Sequence, residues 1–301
     1  MSRIRREFSR APETSSPFRS PVAPGSCRRE VSVVEVFTVV RVKASSNVEW
    51  QKWGQRDPLF AVASWKGREK DGVDPWTAAD FYALGASDWD DFAPHWRQYG
   101  WDTDSCLEIG CGTGRLTSPL ARQFRRTYAL DVSREMVEYA KAHIEHPSIE
   151  FLVSDGVKIP LGEGSVSAVF STHVFQHFDS TDHASAYFQE IARVLKPRGT
   201  LMIHLPIYRW PAMHGLFERI YRLRRAAGHL RAAVNRFLIS HNVGKPTMRG
   251  TIYPVDYFYR VLPTLGFEDI QIRIFPTKSN GGLHPFVFAR KGDGSEEKCN
   301  T

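Results

Sequence analysis

The apolar positions of this 301-residue chain change period as they run along it. Residues 106–109 form a short, mostly apolar run bounded by polar residues, which reads as a buried strand. Leu116, Leu120 and Phe124 then recur at helical spacing, and a second apolar run follows at 127–130. Ser133 is a good N-cap for a helix that places Met136, Val137, Ala140 and Ile144 on one face. Residues 149–153 and 166–170 read as two further strands. A helix over 182–195 carries Phe188, Ile191, Ala192 and Leu195 inward, and residues 196–199 stop it. Another helix over 253–265 points Phe258, Val261, Leu262 and Leu265 inward, with Pro263 kinking it or ending it early. Residues 267–275 and 285–289 read as two strands joined by a loop containing Asn280, Gly281 and Gly282.

Between the first strand and its helix stand Gly110, Gly112 and Gly114, as G-x-G-x-G. Glycine is needed where the backbone turns tightly or where a ligand approaches with no Cβ in the way. The free N–H groups at the start of the following helix favour a negative group. A tight strand-to-helix turn explains the same glycines without a ligand. A dinucleotide fingerprint wants its third glycine at position 115, where this chain has Arg115, and that argues against a nicotinamide dehydrogenase. Asp131 ends the next apolar strand, the place for a carboxylate that accepts hydrogen bonds from two ribose hydroxyls.

This strand, glycine turn and acid resemble class I S-adenosylmethionine-dependent methyltransferases, of the small-molecule, type 11/25-like group. The string EIARVLKPRGTLMIHL at 190–205 resembles that family's helix and turn into strand five, a second match at the expected distance. The resemblance implies a three-layer α/β sandwich, a doubly wound seven-stranded sheet with the last strand antiparallel. It implies S-adenosylmethionine as cofactor, with Gly110, Gly112 and Gly114 running under its methionine part. Glu108 is then expected near the methionine end, Asp131 on the ribose, and Asp155 with Gly156 at the adenine amino group. The end of the fourth strand should face the reacting methyl. DNA amino-methyltransferases carry a (D/N)-P-P-(Y/F) motif there and pyrimidine C5 enzymes a Pro-Cys nucleophile; this chain has neither. His173 and His177 follow that strand and are candidates to take a proton from a hydroxyl or amine acceptor. They are four apart, so on a helical turn they would share a face. No Asp/His set of ligand spacing is evident, so no metal is expected. The expected activity is O- or N-methylation of a small molecule. An RNA or protein methyltransferase and a catalytically inactive cofactor-binding partner subunit are the alternatives.

Composition adds limits. Hydrophobic residues make up 42% of the chain, enough for a packed core, and the formal charge is +7. Much of the positive excess lies in 1–43 and 209–236, which admits nucleic acid or an anionic surface as a partner. The four cysteines have neither paired nor metal-ligand spacing, which fits a reducing compartment. No apolar run approaches 18 residues, so no transmembrane helix is expected, and a cytoplasmic location is. Residues 1–46 are rich in Arg, Ser and Pro and read as a basic, largely disordered extension, although 31–42 are β-branched enough for a strand. The methyltransferase domain is expected over 47–291. Aromatic cap helices fill 48–99, a helical insertion with one arginine-rich face spans 207–243, and 292–301 form a polar tail.

Overall fold

The computed structural model describes residues 46–208 and 250–294, together with Leu223 and Ala227. The strand expected at 31–42 and nearly all of the basic insertion lie outside the described residues. Three helices come first: α1 (Asn47–Arg56), α2 (Pro58–Val62) and α3 (Ala78–Tyr99). Then follow β1 (Ser105–Ile109), α4 (Thr117–Ala121), β2 (Arg126–Asp131), α5 (Arg134–His143), β3 (Ile149–Val153), β4 (Val166–Ser171), α6 (Thr181–Val194) and β5 (Leu195–His204). The described chain closes with β6 (Ile207–Tyr208), β7 (Tyr253–Pro254), α7 (Val255–Thr264), β8 (Phe267–Pro276) and β9 (Leu283–Lys291).

Seven strands form one sheet in the order β3-β2-β1-β4-β5-β9-β8. The pairs from β3 to β5 are parallel, and β9 inserts antiparallel between β5 and β8. This is the expected doubly wound sheet with its last strand reversed. The Gly281 turn makes β8 and β9 a hairpin, which is what lets the final strand run backwards beside β5. Chain order reverses between β1 and β4, and in open α/β sheets a ligand crevice lies at such a switch point, beyond the carboxyl ends of the strands.

The central strands β1 and β4 are buried along their whole length, as expected of strands covered on both faces. Alternate residues go to opposite layers. Leu107, Ile109, Tyr128 and Leu130 pack with Phe188, Ile191 and Leu262, from α6 and α7. Cys106, Phe170, Met202 and Phe288 face Trp89, Phe92 and Trp96 of α3 and Leu120 of α4. The α3 part of the aromatic segment expected as a cap therefore packs one face of the sheet. Helix α3 starts on Thr77, whose hydroxyl accepts from the Asp80 N–H, and stops at Gly100, whose φ of +98° is left-handed. Trp96 is fully buried and its Nε1 donates to Thr200 Oγ1 at 3.1 Å. Trp96→Ala is expected to cost about 3–5 kcal/mol in urea denaturation. A loss near zero would remove α3 from the core.

Three details differ from the sequence reading. Residues 196–199 do not form a separate turn; they enter β5, where Arg198 sits at φ +63° and the β4–β5 register shifts. The segment from Tyr253 begins as β7, paired with β6, before α7 starts at Val255. That pairing sets the first residues of the expected insertion beside the entry to α7. Ser46, the last residue of the expected extension, is tied to the domain at the start of α1. Ser46 is buried, its N–H donates to Asp179 Oδ2 at 3.3 Å, and Asn47 Nδ2 donates to the Asp155 carbonyl at 2.7 Å.

Candidate functional site

A cavity of about 350 Å³ opens where the parallel strands end, and strands, cap helices and hairpin all contribute to its wall. Gly110 and Gly112 of the glycine turn, Asp131, Ser154 and Gly156 form one part of the lining. Thr172, His173, Gln176 and His177 after β4, and His284 of β9, form another. Asn47 and Trp50 of α1 and Asp88 of α3 come from the helices before the sheet. Among the described residues, no helix is long and apolar enough to cross a membrane.

Asp131 is the anchor of the glycine turn. Its Oδ2 accepts from the Gly112 N–H at 2.8 Å, and its Oδ1 accepts from the Ser133 N–H at 2.8 Å. One acid thus ties the first loop to the start of α5. Burial pushes the carboxyl up from its ordinary range, and backbone N–H groups of Ser133, Gly112 and Val132 pull it back. Each oxygen keeps a further lone pair, and Asp131 lines the cavity. Gly110 and Gly112 are both left-handed, at φ +74° and +53°. A Cβ on Gly110 would stand 2.1 Å from Val174 Cγ2, so only glycine fits there.

The remaining expected positions divide. Gly114 is also left-handed, but it does not line the cavity: a Cβ there would meet Ile144 of α5's far end at 2.2 Å. Its role is the close approach of the loop to α5. Asp155 is exposed and outside the lining, with Oδ1 accepting from the Val157 and Lys158 N–H groups at 2.9 Å each. The wall beside it is made by Ser154 and Gly156 instead. Several lining residues were not singled out in sequence, and three of them pack together. His183 Nε2 lies 2.7 Å from the Gly156 carbonyl, Phe178 stacks on the His183 ring at 4.4 Å, and Tyr187 stacks on Phe178 at 4.9 Å. The helical spacing of His183 and Tyr187 on α6 reads as core, and Phe178 stands just before that helix.

Glu108 lies outside the lining, fully buried under the turn, with Oε2 accepting from Thr117 Oγ1 at 2.6 Å. Burial raises its carboxyl to about 7, against the opposing pull of Thr117 and Arg115. Between pH 4.5 and about 7 the folded state holds a proton that the unfolded chain has lost. Stability therefore falls as pH rises through that window, by on the order of 3 kcal/mol in all. Glu108→Gln removes the titration, so its melting temperature should gain on wild type progressively from pH 5 to pH 8. A pH-independent difference between the two proteins would contradict this assignment.

His173 and His177 both line the cavity but do not share a helical face. Only Phe175–His177 form a 3-10 turn, and His173 before it is left-handed at φ +58°. That conformation is uncommon for a non-glycine residue and aims the two rings at different neighbours. The His177 ring lies 4.8 Å from Trp50 of α1. The His173 ring lies 4.3 Å from His204 and 5.3 Å from His284. The sheet thus brings together three histidines, His173, His204 and His284, that sequence spacing does not group. Burial, then the neighbouring His204, Arg115, His284 and His177, hold the His173 imidazole well below its ordinary value. Asp88 and Arg115 form a buried ion pair in the cavity wall, leaving Asp88 Oδ1 and Arg115 Nε without partners.

Residues 107–203 match the family model described as a methyltransferase domain. This stretch is a class I methyltransferase domain. The chain is similar to a malonyl-[acyl-carrier protein] O-methyltransferase of Hahella chejuensis, 32% identical over 145 residues, which cover 44% of this chain and 51% of that protein. It is also similar to a fatty-acid O-methyltransferase of Mycolicibacterium smegmatis, 34% identical over 98 residues, 31% of this chain and 34% of that protein. The chain thus spans about half, or less, of the length of these curated relatives. The magnesium protoporphyrin IX methyltransferase of Synechocystis, solved with bound S-adenosylmethionine, superposes with a TM-score of 0.51 at 17% identity. The superposition covers 82% of this chain and 97% of that one, and shows a shared fold.

Proposed function

We propose that this protein is an S-adenosylmethionine-dependent methyltransferase whose acceptor is a small molecule methylated on oxygen. The observation that carries the reading is Asp131. It is a buried carboxylate whose two oxygens are each half-used by backbone N–H groups and which borders the cavity, as a ribose partner requires. Gly110 and Gly112 leave the backbone bare beside it, and Ser154 and Gly156 continue the same wall. The residues fit the cofactor. When bound, it supplies a methyl group on a sulfonium that is already an activated leaving group.

The chain's own task is then alignment and exclusion of water. Trp50 of α1 and Thr277, Ser279 and Asn280 of the β8–β9 turn also border the cavity. His173 and His177 form the wall we assign to the acceptor. An imidazole held far below its ordinary value is a weak proton acceptor, so His173 suits an acceptor that arrives deprotonated. Carboxylates do so at neutral pH. The relatives named for O-methylation of malonyl-[acyl-carrier protein] and of fatty acids agree with that choice. A transfer assay with methyl-labelled S-adenosylmethionine against carboxylic acids, phenols, amines and RNA tests the reading. Label should enter base-labile esters of carboxylic acids. Label found only in RNA or amines would overturn the acceptor assignment.

A further inference from the structure

The cavity wall assigned to the acceptor shares His173 with a cluster of imidazoles that methyl transfer does not by itself call for. His173 follows β4, His204 ends β5 and His284 stands near the start of β9. These three strands are neighbours in the sheet, and β9 runs backwards, so each brings its histidine to the same end. One ring nitrogen from each lies within 4.8 Å of the others. His204 and His284 are only 5% and 9% exposed. His204 Nδ1 is buried with no hydrogen-bond partner, which costs about 1–3 kcal/mol unless something fills the position. The His204 ring packs edge-on against Phe286 at 5.4 Å, an apolar contact that leaves Nδ1 unserved.

We propose that His173, His204 and His284 hold a divalent transition-metal ion of the zinc class, with one coordination position open to the cavity. An all-imidazole set selects zinc and its neighbours over magnesium and calcium, which take oxygen ligands. Ligation at about 2.0–2.1 Å in a tetrahedron sets ligand nitrogens about 3.4 Å apart, so ring rotations of roughly an ångström close this set. Outer-shell groups are present. Thr277 Oγ1 lies 3.3 Å from His284 Nε2, and the Asp88 carboxylate next to His284 has Oδ1 free of any partner. Asp88 also neutralises Arg115, so the pair adds no net charge against the ion. Two of the ligands border the cavity, which leaves the fourth position to water or to an oxygen or sulfur donor. The site shares the cavity and His173 with the acceptor wall, but ion binding does not depend on methyl transfer; only that use of the fourth position rests on the reading above.

The test uses the untagged full-length protein, dialysed against chelator and titrated with Zn²⁺ and with Co²⁺. One equivalent of Zn²⁺ should bind, and Co²⁺ should give the intense visible bands of a four-coordinate ion. His284→Gln and the space-filling His204→Phe should each weaken Zn²⁺ at least tenfold. Calorimetry with S-adenosylmethionine on the same samples reports folding and the cofactor site separately. Less than a tenth of an equivalent bound to wild type would overturn the proposal. So would undiminished Zn²⁺ affinity in a variant that still binds S-adenosylmethionine. Loss of S-adenosylmethionine binding in wild type would instead strike the methyltransferase reading and leave the metal result to stand.

Discussion

Asp131→Ala is expected to weaken S-adenosylmethionine binding by at least roughly a hundredfold. Two hydrogen bonds from ribose to an ionised acceptor contribute about 1.5–3 kcal/mol each, and every 1.4 kcal/mol is tenfold in affinity. The same carboxylate also satisfies the Gly112 and Ser133 N–H groups, so the substitution leaves two buried donors without partners. Each costs about 1–3 kcal/mol, and the melting temperature should fall with the affinity. The double loss distinguishes an anchor of the turn from a residue that only touches ligand. Titration calorimetry measures the first effect and thermal denaturation the second. Unchanged affinity would remove Asp131 from the cofactor site.

Gly110→Ala should be nearly as damaging, for a different reason. At φ +74° an L-residue pays about 1–2 kcal/mol, and its Cβ would stand 2.1 Å from Val174 Cγ2. The turn must shift, and it shifts where Gly110 borders the cavity. At least a tenfold loss of S-adenosylmethionine affinity should accompany a lower melting temperature. Adding Val174→Ala relieves the overlap but not the dihedral, so the double variant should recover part of both losses. Binding within twofold of wild type in Gly110→Ala alone would show that the turn does not shape the site.

The hydrophobic pattern made the sheet legible because each parallel strand is a short apolar run and each helix carries a 3.6-residue stripe. Gly110 and Asp131 were legible for the same local reason: the bend and the acid each sit at a strand end. Glu108 and Gly114 stand in the same motif, yet they support the turn from beneath and from α5. Spacing does not separate a residue that touches ligand from one that holds the loop that does. The histidine cluster was illegible because its members meet only through the order β4-β5-β9, two crossovers and a reversal away from sequence order. His173 and His177 looked like a pair at i and i+4, but the left-handed backbone at His173 breaks the helix that pairing assumes. The ion pair between Asp88 and Arg115 likewise joins α3 to the glycine turn across a distance no local pattern records.

The central claim is that the cavity beside Asp131 takes S-adenosylmethionine. Titration calorimetry of the wild-type chain against S-adenosylmethionine, with NAD as the comparison, tests it most directly. The account predicts a saturable 1:1 isotherm for S-adenosylmethionine and no measurable heat for NAD. Binding of NAD in place of S-adenosylmethionine, or of neither, would contradict it.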